Sequence, residues 1–347
     1  MKSNNLFIIA LLGSLILFSR CSTDFELTSD WKDITIVYGI LSYTDTAIYV
    51  KVNKAYLDKK TNALVQAQIP DSTYYNNISV SLTETNNVGT VTNNFTLEKV
   101  DGNDEGFTKE EGIFPQTPNY LYKVKYSPKP DRFYSVSVNK GDENVSTATT
   151  NIVNEIVVIK PTIAAPISLL PGDNSFTTVS WKNPKNGKFY GLTIRINYVE
   201  YPNASPQDSI RKSIEWKIFD EFLPDIPDAG TTVEFKLFTQ GMYTTMAQLI
   251  PVNTSVTRVL RQPEFIFGSG AEDLYTYIQV VKSKEGITQG QIQPDFTNVT
   301  NGLGLFTSRS FKTSPISLKP STLDSVACRS FTKSLRFLNS SGQLCPE

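Results

Sequence analysis

Residues 34–54 run ITIVYGILSYTDTAIYVKVNK, and their period of two decides the fold class. Ile34, Ile36, Tyr38 and Ile40 share one face of an extended chain, Ser42 to Asp45 supply turn residues, and Ile48, Val50 and Val52 repeat the alternation. Successive side chains of a strand point to opposite faces, so the spacing predicts two paired strands with those residues on the buried side. Ile78, Val80 and Leu82 alternate with Ser79, Ser81 and Thr83, and Phe95 and Leu97 follow a turn of Asn and Gly. Tyr120, Tyr122, Val124 and Tyr126 alternate again, as do Tyr134, Val136 and Val138 beyond the Pro128 to Asp131 turn. Short strands at this spacing predict a β-sandwich over residues 32–152.

Residues 153–170 are rich in Ile, Val and Pro, and with Pro161, Pro166 and Pro171 they form an extended entry to a second domain, 153–347. Phe176 to Trp181, the turn Asn183 to Gly187 and Phe189 to Tyr201 make a strand, a turn and a long strand. The pair resembles a hairpin of a fibronectin type III or related immunoglobulin-like sandwich, with Trp181 anchoring the core. A helix is predicted near 232–250: Thr231 and Glu234 form a capping box, Phe235, Phe238, Met242, Met246 and Leu249 recur at helical spacing, and Pro251 stops it. Gly241 inside it costs about 1 kcal/mol relative to Ala and marks a close backbone approach. Strands resume with Tyr275 to Val281. The expected class is therefore mainly all-β: two immunoglobulin or fibronectin III-like sandwiches, the second with an inserted helix.

Composition agrees and narrows the chemistry. Tyr and Phe number 16 and 20 against three Met and no His. Without histidine, a Ser-His-Asp triad, a Cys-His dyad and a His-ligated zinc site are excluded by inventory. The chain is not predicted to be an enzyme, and no cofactor is expected. A two-carboxylate glycoside hydrolase is the remaining catalytic alternative, with Glu110-Glu111 and Asp220-Glu221 the adjacent acids.

The first 31 residues set the location. Lys2 precedes an apolar run from Leu6 to Phe18, of signal-peptide length and too short to span a bilayer comfortably. Residues 1–20 then form a lipoprotein signal peptide, with Cys21 the lipidated N-terminus carrying diacylglycerol and an amide-linked, palmitate-type chain; the alternative is an ordinary signal peptide with a free Cys21. Arg20 stands where the usual motif has a small residue. Loss of Lys2 and Arg20 leaves 31 basic against 34 acidic residues, and no basic stripe offers a nucleic-acid footprint. Residues 21–31 form a polar tether whose Asp24, Glu26 and Asp30 resemble the surface-export signal of Bacteroidota lipoproteins; a plain solvated linker is the other reading. The remaining cysteines, Cys328 and Cys345, form an even pair in an exported chain and are expected to be disulfide-bonded.

Asp101 to Gly106, DGNDEG, is the one loop with the alternating oxygen donors of a calcium site: Asp101, Asn103 and Glu105. An EF-hand loop starting there needs its bidentate Glu where Gly112 stands, so a solvated hairpin tip is the other reading. Asp45-Thr-Ala47, Asp71-Ser-Thr73, Asp208-Ser-Ile210 and Asp324-Ser-Val326 are similar to the O-glycosylation sequon of Bacteroidota, with Thr46, Ser72, Ser209 and Ser325 the acceptors.

The most specific stretch is QPDFTNVTNGLGLFTSRSF, Gln293 to Phe311, a strand, an Asn301-Gly302 turn and a second strand. With AEDLYTYIQVV upstream and LDSVAC downstream, it resembles the C-terminal part of a family of Bacteroidota outer-membrane lipoproteins of unknown function, often encoded beside TonB-dependent transporters. The resemblance implies a cell-surface protein held in the outer membrane by its acyl anchor, acting as a binding or assembly component with a TonB-dependent β-barrel. The alternative is a structural or adhesion lipoprotein. Partner contacts are expected from loop tips and from the Asn298 to Arg309 hairpin, with Asn301 and Arg309 the named residues.

Overall fold

The computed structural model describes residues 34–55, 62–141, 143–284 and 296–346; Cys21, the signal peptide and the tether lie outside them. The first part of the chain gives β1 (Thr35–Leu41), β2 (Ile48–Lys54), short helices α1 (Ala63–Ala67) and α2 (Pro70–Thr73), β3 (Ser79–Thr85), β4 (Val91–Thr96), β5 (Glu98–Asp101), β6 (Tyr120–Val124), β7 (Phe133–Asn139) and β8 (Ser146–Asn151). Next come β9 (Val157–Lys160), β10 (Phe176–Lys182), β11 (Phe189–Pro202), β12 (Ile210–Phe222), β13 (Thr232–Phe238) and helix α3 (Gln240–Leu249). The remainder supplies β14 (Val256–Leu260), β15 (Glu264–Gly270), α4 (Glu272–Lys284), β16 (Gly302–Pro315) and α5 (Pro320–Cys328). The protein is mainly β, and among the described residues no helix is long and apolar enough to cross a membrane.

One long sheet, in the order β12-β11-β15-β16-β1-β2-β6-β5 with β14 also on β11, forms one layer of both halves. A four-stranded sheet, β4-β3-β7-β8, covers it at one end and a three-stranded sheet, β13-β10-β9, at the other. Two cores result. Val37, Leu41, Ile48, Val50 and Val52 of the long sheet meet Val80, Leu82, Tyr134, Val136 and Val138 of the four-stranded one. Trp181, Val179 and Leu237 meet Leu192, Ile194, Phe265 and Phe267 in the other. Each such side chain taken fully out of water contributes roughly 1.5–3 kcal/mol.

The two sandwich-like units are stitched by β16. Its first half pairs in parallel with β1, from Thr35 with Gly302 to Leu41 with Ser308. Its second half pairs antiparallel with β15, from Arg309 with Gly270 to Pro315 with Glu264. Phe306 lies in the first core, and the Ser308 hydroxyl accepts from Val153 N and donates to Asn151 O at the junction. The boundary drawn at residue 152 is thus crossed: a strand from beyond residue 300 completes the first unit.

Several local expectations change. In β1 the period is right and the phase inverted: Val37 and Leu41 are 0% and 1% exposed, whereas Ile34, Tyr38 and Ile40 are 37%, 41% and 41% exposed. Gly39 explains the choice. A Cβ there would stand 2.7 Å from Phe306 Cδ2, so the ring of β16 fills the space that the glycine leaves on the core side.

The segment 232–238 is strand, because Val233 and Leu237 turn inward and all seven residues pair with β10. The helix keeps only 240–249, with Met242, Tyr243 and Met246 buried. Its Thr239 hydroxyl donates to Leu170 O and Ser175 O instead of capping it. Gly241 does mark a close approach, since a Cβ would meet the Trp216 ring at 2.8 Å.

Strands β10 and β11 are not a hairpin. They lie in facing sheets, and Trp181 and Tyr190 meet across the core with ring centroids 5.4 Å apart. The span Tyr275 to Val281 is helical, its first turn carrying Glu272 and Asp273 at the positive end of the helix dipole. The helix α5 starts with Pro320 in its first turn, where a missing N–H is harmless.

Candidate functional site

The inverted phase of β1 leaves an apolar strip on the outside of the long sheet. Ile36, Tyr38 and Ile40 lie there beside the outward residues of β2, Tyr49, Lys51 and Asn53. The strip forms the floor of two adjoining grooves of about 500 and 620 Å³, which share Tyr38 and Lys51.

The wall is the segment 102–119 between β5 and β6, shaped by its own polar groups. Gly102 N donates to Asn119 O at 2.6 Å, Phe107 N to Gly102 O at 2.7 Å, and the Asn119 side-chain amide to Phe107 O at 2.7 Å. The Lys109 ammonium donates to Pro115 O at 2.7 Å and Pro118 O at 2.8 Å, closing the far end. A long loop packed in this way is compact, and loops of this kind commonly carry recognition. It presents Phe107 and Phe114, 47% and 46% exposed, over the grooves.

The charges are asymmetric. Burial pulls the Lys51 pKa down, and the neighbouring charge of Lys109 adds to it. Lys109 is likewise pulled down by burial. At the opposite end Asp45 is pushed up by burial, against a hydrogen bond from Ser42 N and the charge of Arg309. Arg309 is exposed on β16 and stands 5.1 Å from the Phe311 ring.

Of the two residues named for partner contact, Arg309 lines the groove and Asn301 does not. Asn301 adopts φ 54°, and its side-chain amide donates to Val145 O at 3.2 Å, tying the turn to the start of β8. The expected hairpin does not form: residues 296–299 are not strand, Thr300 bridges Thr147, and β16 pairs with β1 and β15, while Asn298 accepts from Phe306 N and donates to Phe306 O across the turn. Lys51, Lys109, Tyr38 and Phe107 were not singled out by sequence. A signal existed in β1, whose apolar residues occupy both faces.

The acidic loop spends its donors internally. Asp101 accepts from Asn103 N, Asn103 donates to Gln116 O, and Glu105 accepts from Lys123 at 2.6 Å and from Tyr49 OH at 2.9 Å. Among the described residues no group of three or more acidic, His or Cys side chains is placed to hold a metal. Of the adjacent acids, Glu221 binds Lys282 and Gln279 and Asp220 binds Lys217, whereas Glu110 lines the second groove. Thr46 and Ser209 are exposed and Ser72 half-buried, but Ser325 is buried against Tyr243. Modification there would have to precede packing of α5. Cys328 and Cys345 are joined by a disulfide, their Cα atoms 5.2 Å apart.

No family model and no curated protein matches the chain. Among solved structures it is similar to trypsin-activated α2-macroglobulin from Escherichia coli at 9% identity and a TM-score of 0.19, over 70% of this chain and 14% of that one. The native conformation of the same protein aligns at 10% identity and a TM-score of 0.21, over 83% and 14%. CBD12 from CALX1.2 aligns at 9% identity and a TM-score of 0.17, over 82% and 99%. The chain spans 14% of the α2-macroglobulin chains it is compared with.

Proposed function

We propose that this protein is a lipid-anchored outer-membrane lipoprotein that binds through the outward face of β1 and β2, and that its partner at the membrane is a TonB-dependent β-barrel. The observation that carries the binding face is the exposed Tyr38 and Ile40, both 41% exposed at adjacent outward positions of a strand, inside a groove walled by a preformed loop. Large apolar side chains grouped in a concavity with a few charges are the usual form of a recognition site. The anchor and the barrel come from the signal segment, Cys21 and the family resemblance. Cys21 precedes Ile34 by 13 residues, a tether of at most about 45 Å when fully extended, so the face is held close to the membrane. Confinement of that kind keeps a modest interface occupied.

Detergent extraction with mild crosslinking tests the partnership. A barrel should be recovered with the wild-type chain, and Ile40→Asp, which places a charge on the strip without touching the core, should lower that recovery. Arg309→Ala should weaken it less. Recovery of the lipoprotein alone points to the structural reading, and full recovery with Ile40→Asp removes the β1 face from the interface. Intact-mass analysis of the membrane-extracted protein should show acyl chains on a mature N-terminus at Cys21.

A further inference from the structure

The junction of the two grooves holds a cation with no ion-pair partner among the described residues. Lys51 lines both grooves, is half-buried, and has no acceptor among the described residues. Several other lysines are paired with carboxylates, Lys123 with Glu105 at 2.6 Å, Lys212 with Glu200 at 2.6 Å and Lys312 with Glu155 at 2.6 Å, whereas Lys54 in the same lining faces only the Tyr75 ring among the described residues. The second cation at the site, Lys109, is fixed by two carbonyl oxygens, which set its position and leave its charge in place. Burial pulls both pKa values down; the charge of Lys109 adds to the shift at Lys51, and Asp101 opposes it at Lys109. The groove lining carries Lys51, Lys54, Lys109 and Arg309 against Asp45 and Glu110, on a chain whose formal net charge is −1. A basic site on a slightly acidic protein is a local feature. The polar groove beside β12 and β14 differs: its Lys212 is paired with Glu200, its Arg261 donates to the Tyr201 hydroxyl, and its Arg211 is exposed to solvent.

We infer that this face binds a small amphipathic anion, its charged group on Lys51 beside Lys109 and its aliphatic or aromatic body along Ile36, Tyr38 and Ile40. The three outward positions of β1 span roughly 13 Å of strand, enough for a medium-chain acyl group or two fused rings. A groove of about 620 Å³ is of ligand size. The anion supplies what Lys51 lacks, and the apolar body covers the exposed strip; neither a neutral hydrocarbon nor a small inorganic anion does both. The assignment rests on the proposal that the outward face of β1 and β2 is a binding surface.

The test is a fluorescence titration of the folded protein with 8-anilinonaphthalene-1-sulfonate, an aromatic sulfonate, against its neutral relative N-phenyl-1-naphthylamine. The sulfonate should bind more tightly, and laurate should displace it. Lys51→Met keeps the aliphatic stem and removes the charge. It should weaken sulfonate binding about tenfold or more, the weight of one charge-assisted hydrogen bond, and leave the neutral probe unchanged. Lys51→Arg should retain most of the sulfonate affinity. Equal binding of the two probes, failure of laurate to compete, or unchanged affinity in Lys51→Met overturns the anion site. Loss of barrel recovery with Ile40→Asp alongside any of those three results would leave the binding face standing and sink only the ligand class.

Discussion

Glu84→Gln should remove the strongest polar fixture of the first core. Glu84 is 1% exposed, and its carboxylate accepts four hydrogen bonds: from Thr92 Oγ1 at 2.5 Å, Asn93 Nδ2 at 2.9 Å, Tyr126 OH at 2.7 Å and Tyr134 OH at 2.5 Å. Burial pushes its pKa up, but the bonds from Thr92, Tyr134, Tyr126 and Asn93 outweigh it and hold the group at about 2. Set against an ordinary value of 4.5, that gap corresponds to about 3 kcal/mol of stability. Because the folded-state pKa is the lower one, the contribution is complete above pH 4.5 and is lost as the pH falls toward 2. A glutamine keeps the shape but turns an N–H donor toward the tyrosine hydroxyls, and Tyr134 OH already accepts from Lys129 N at 2.8 Å. Urea unfolding measured from pH 7 down to pH 2 decides the matter. The variant should be about 3 kcal/mol less stable at pH 7, and the two proteins should converge as the pH approaches 2. Other carboxylates titrate in the same range, so the difference between the two curves is the quantity to read. Parallel curves, or a loss at pH 7 below about 0.5 kcal/mol, would refute the argument that these four bonds hold the charge.

Arg258 is 1% exposed, binds Glu200 through Nε at 2.9 Å, and donates to Leu335 O and Pro251 O. Arg258→Ala leaves Glu200 with Lys212 alone and frees two carbonyls; about 3–5 kcal/mol should be lost in urea unfolding, and Arg258→Lys should not restore it. The Cys328–Cys345 bridge closes a loop of sequence separation 17, so reduction should lower stability by about 3 kcal/mol in the chain-entropy account, and the unreduced, unfolded protein should label with no thiol at either position. Gly39→Val should cost about 1–3 kcal/mol because its side chain meets the Phe306 ring, and Gly39→Val with Phe306→Ala should recover part of that loss.

Alternation made most of the strands readable, and where a strand has one apolar face the burial followed, as at Tyr134, Val136 and Val138, all 0% exposed. The misreadings have physical causes. Phe235 and Phe238 match a helical period with Met242 and Met246, but Val233 and Leu237 match a strand period as well, and pairing with β10 selected the strand. In α4, Leu274, Tyr275, Ile278 and Val281 stand at helical spacing, while the aromatic and β-branched content favours a strand; a seat against β16 and acids in the first turn outweigh that preference. The turn after Trp181 carries the chain into the facing sheet, which spacing within one pair cannot reveal. Arg309 was reached from sequence, whereas Lys51 was hidden because a lysine between two valines reads as the solvent side of a strand.

The phase of β1 depended on residues far away. Both of its faces are apolar, Ile34, Ile36, Tyr38 and Ile40 on one and Val37 and Leu41 on the other, so hydrophobicity alone favours the wrong one. What reverses the choice is Gly39 on the second face, where the absence of a side chain admits Phe306 from a strand that the chain delivers more than 260 residues later. Parallel pairing with β16 then fixes the register along all seven residues of β1 and points its bulkier face outward. A one-residue slip would exchange the two faces, put Tyr38 into the core and abolish the grooves. The ambiguity of the sequence and the presence of the groove therefore share one origin. A strand apolar on both sides gives one face to the core, and the other remains as an exposed apolar floor beneath the loop 102–119.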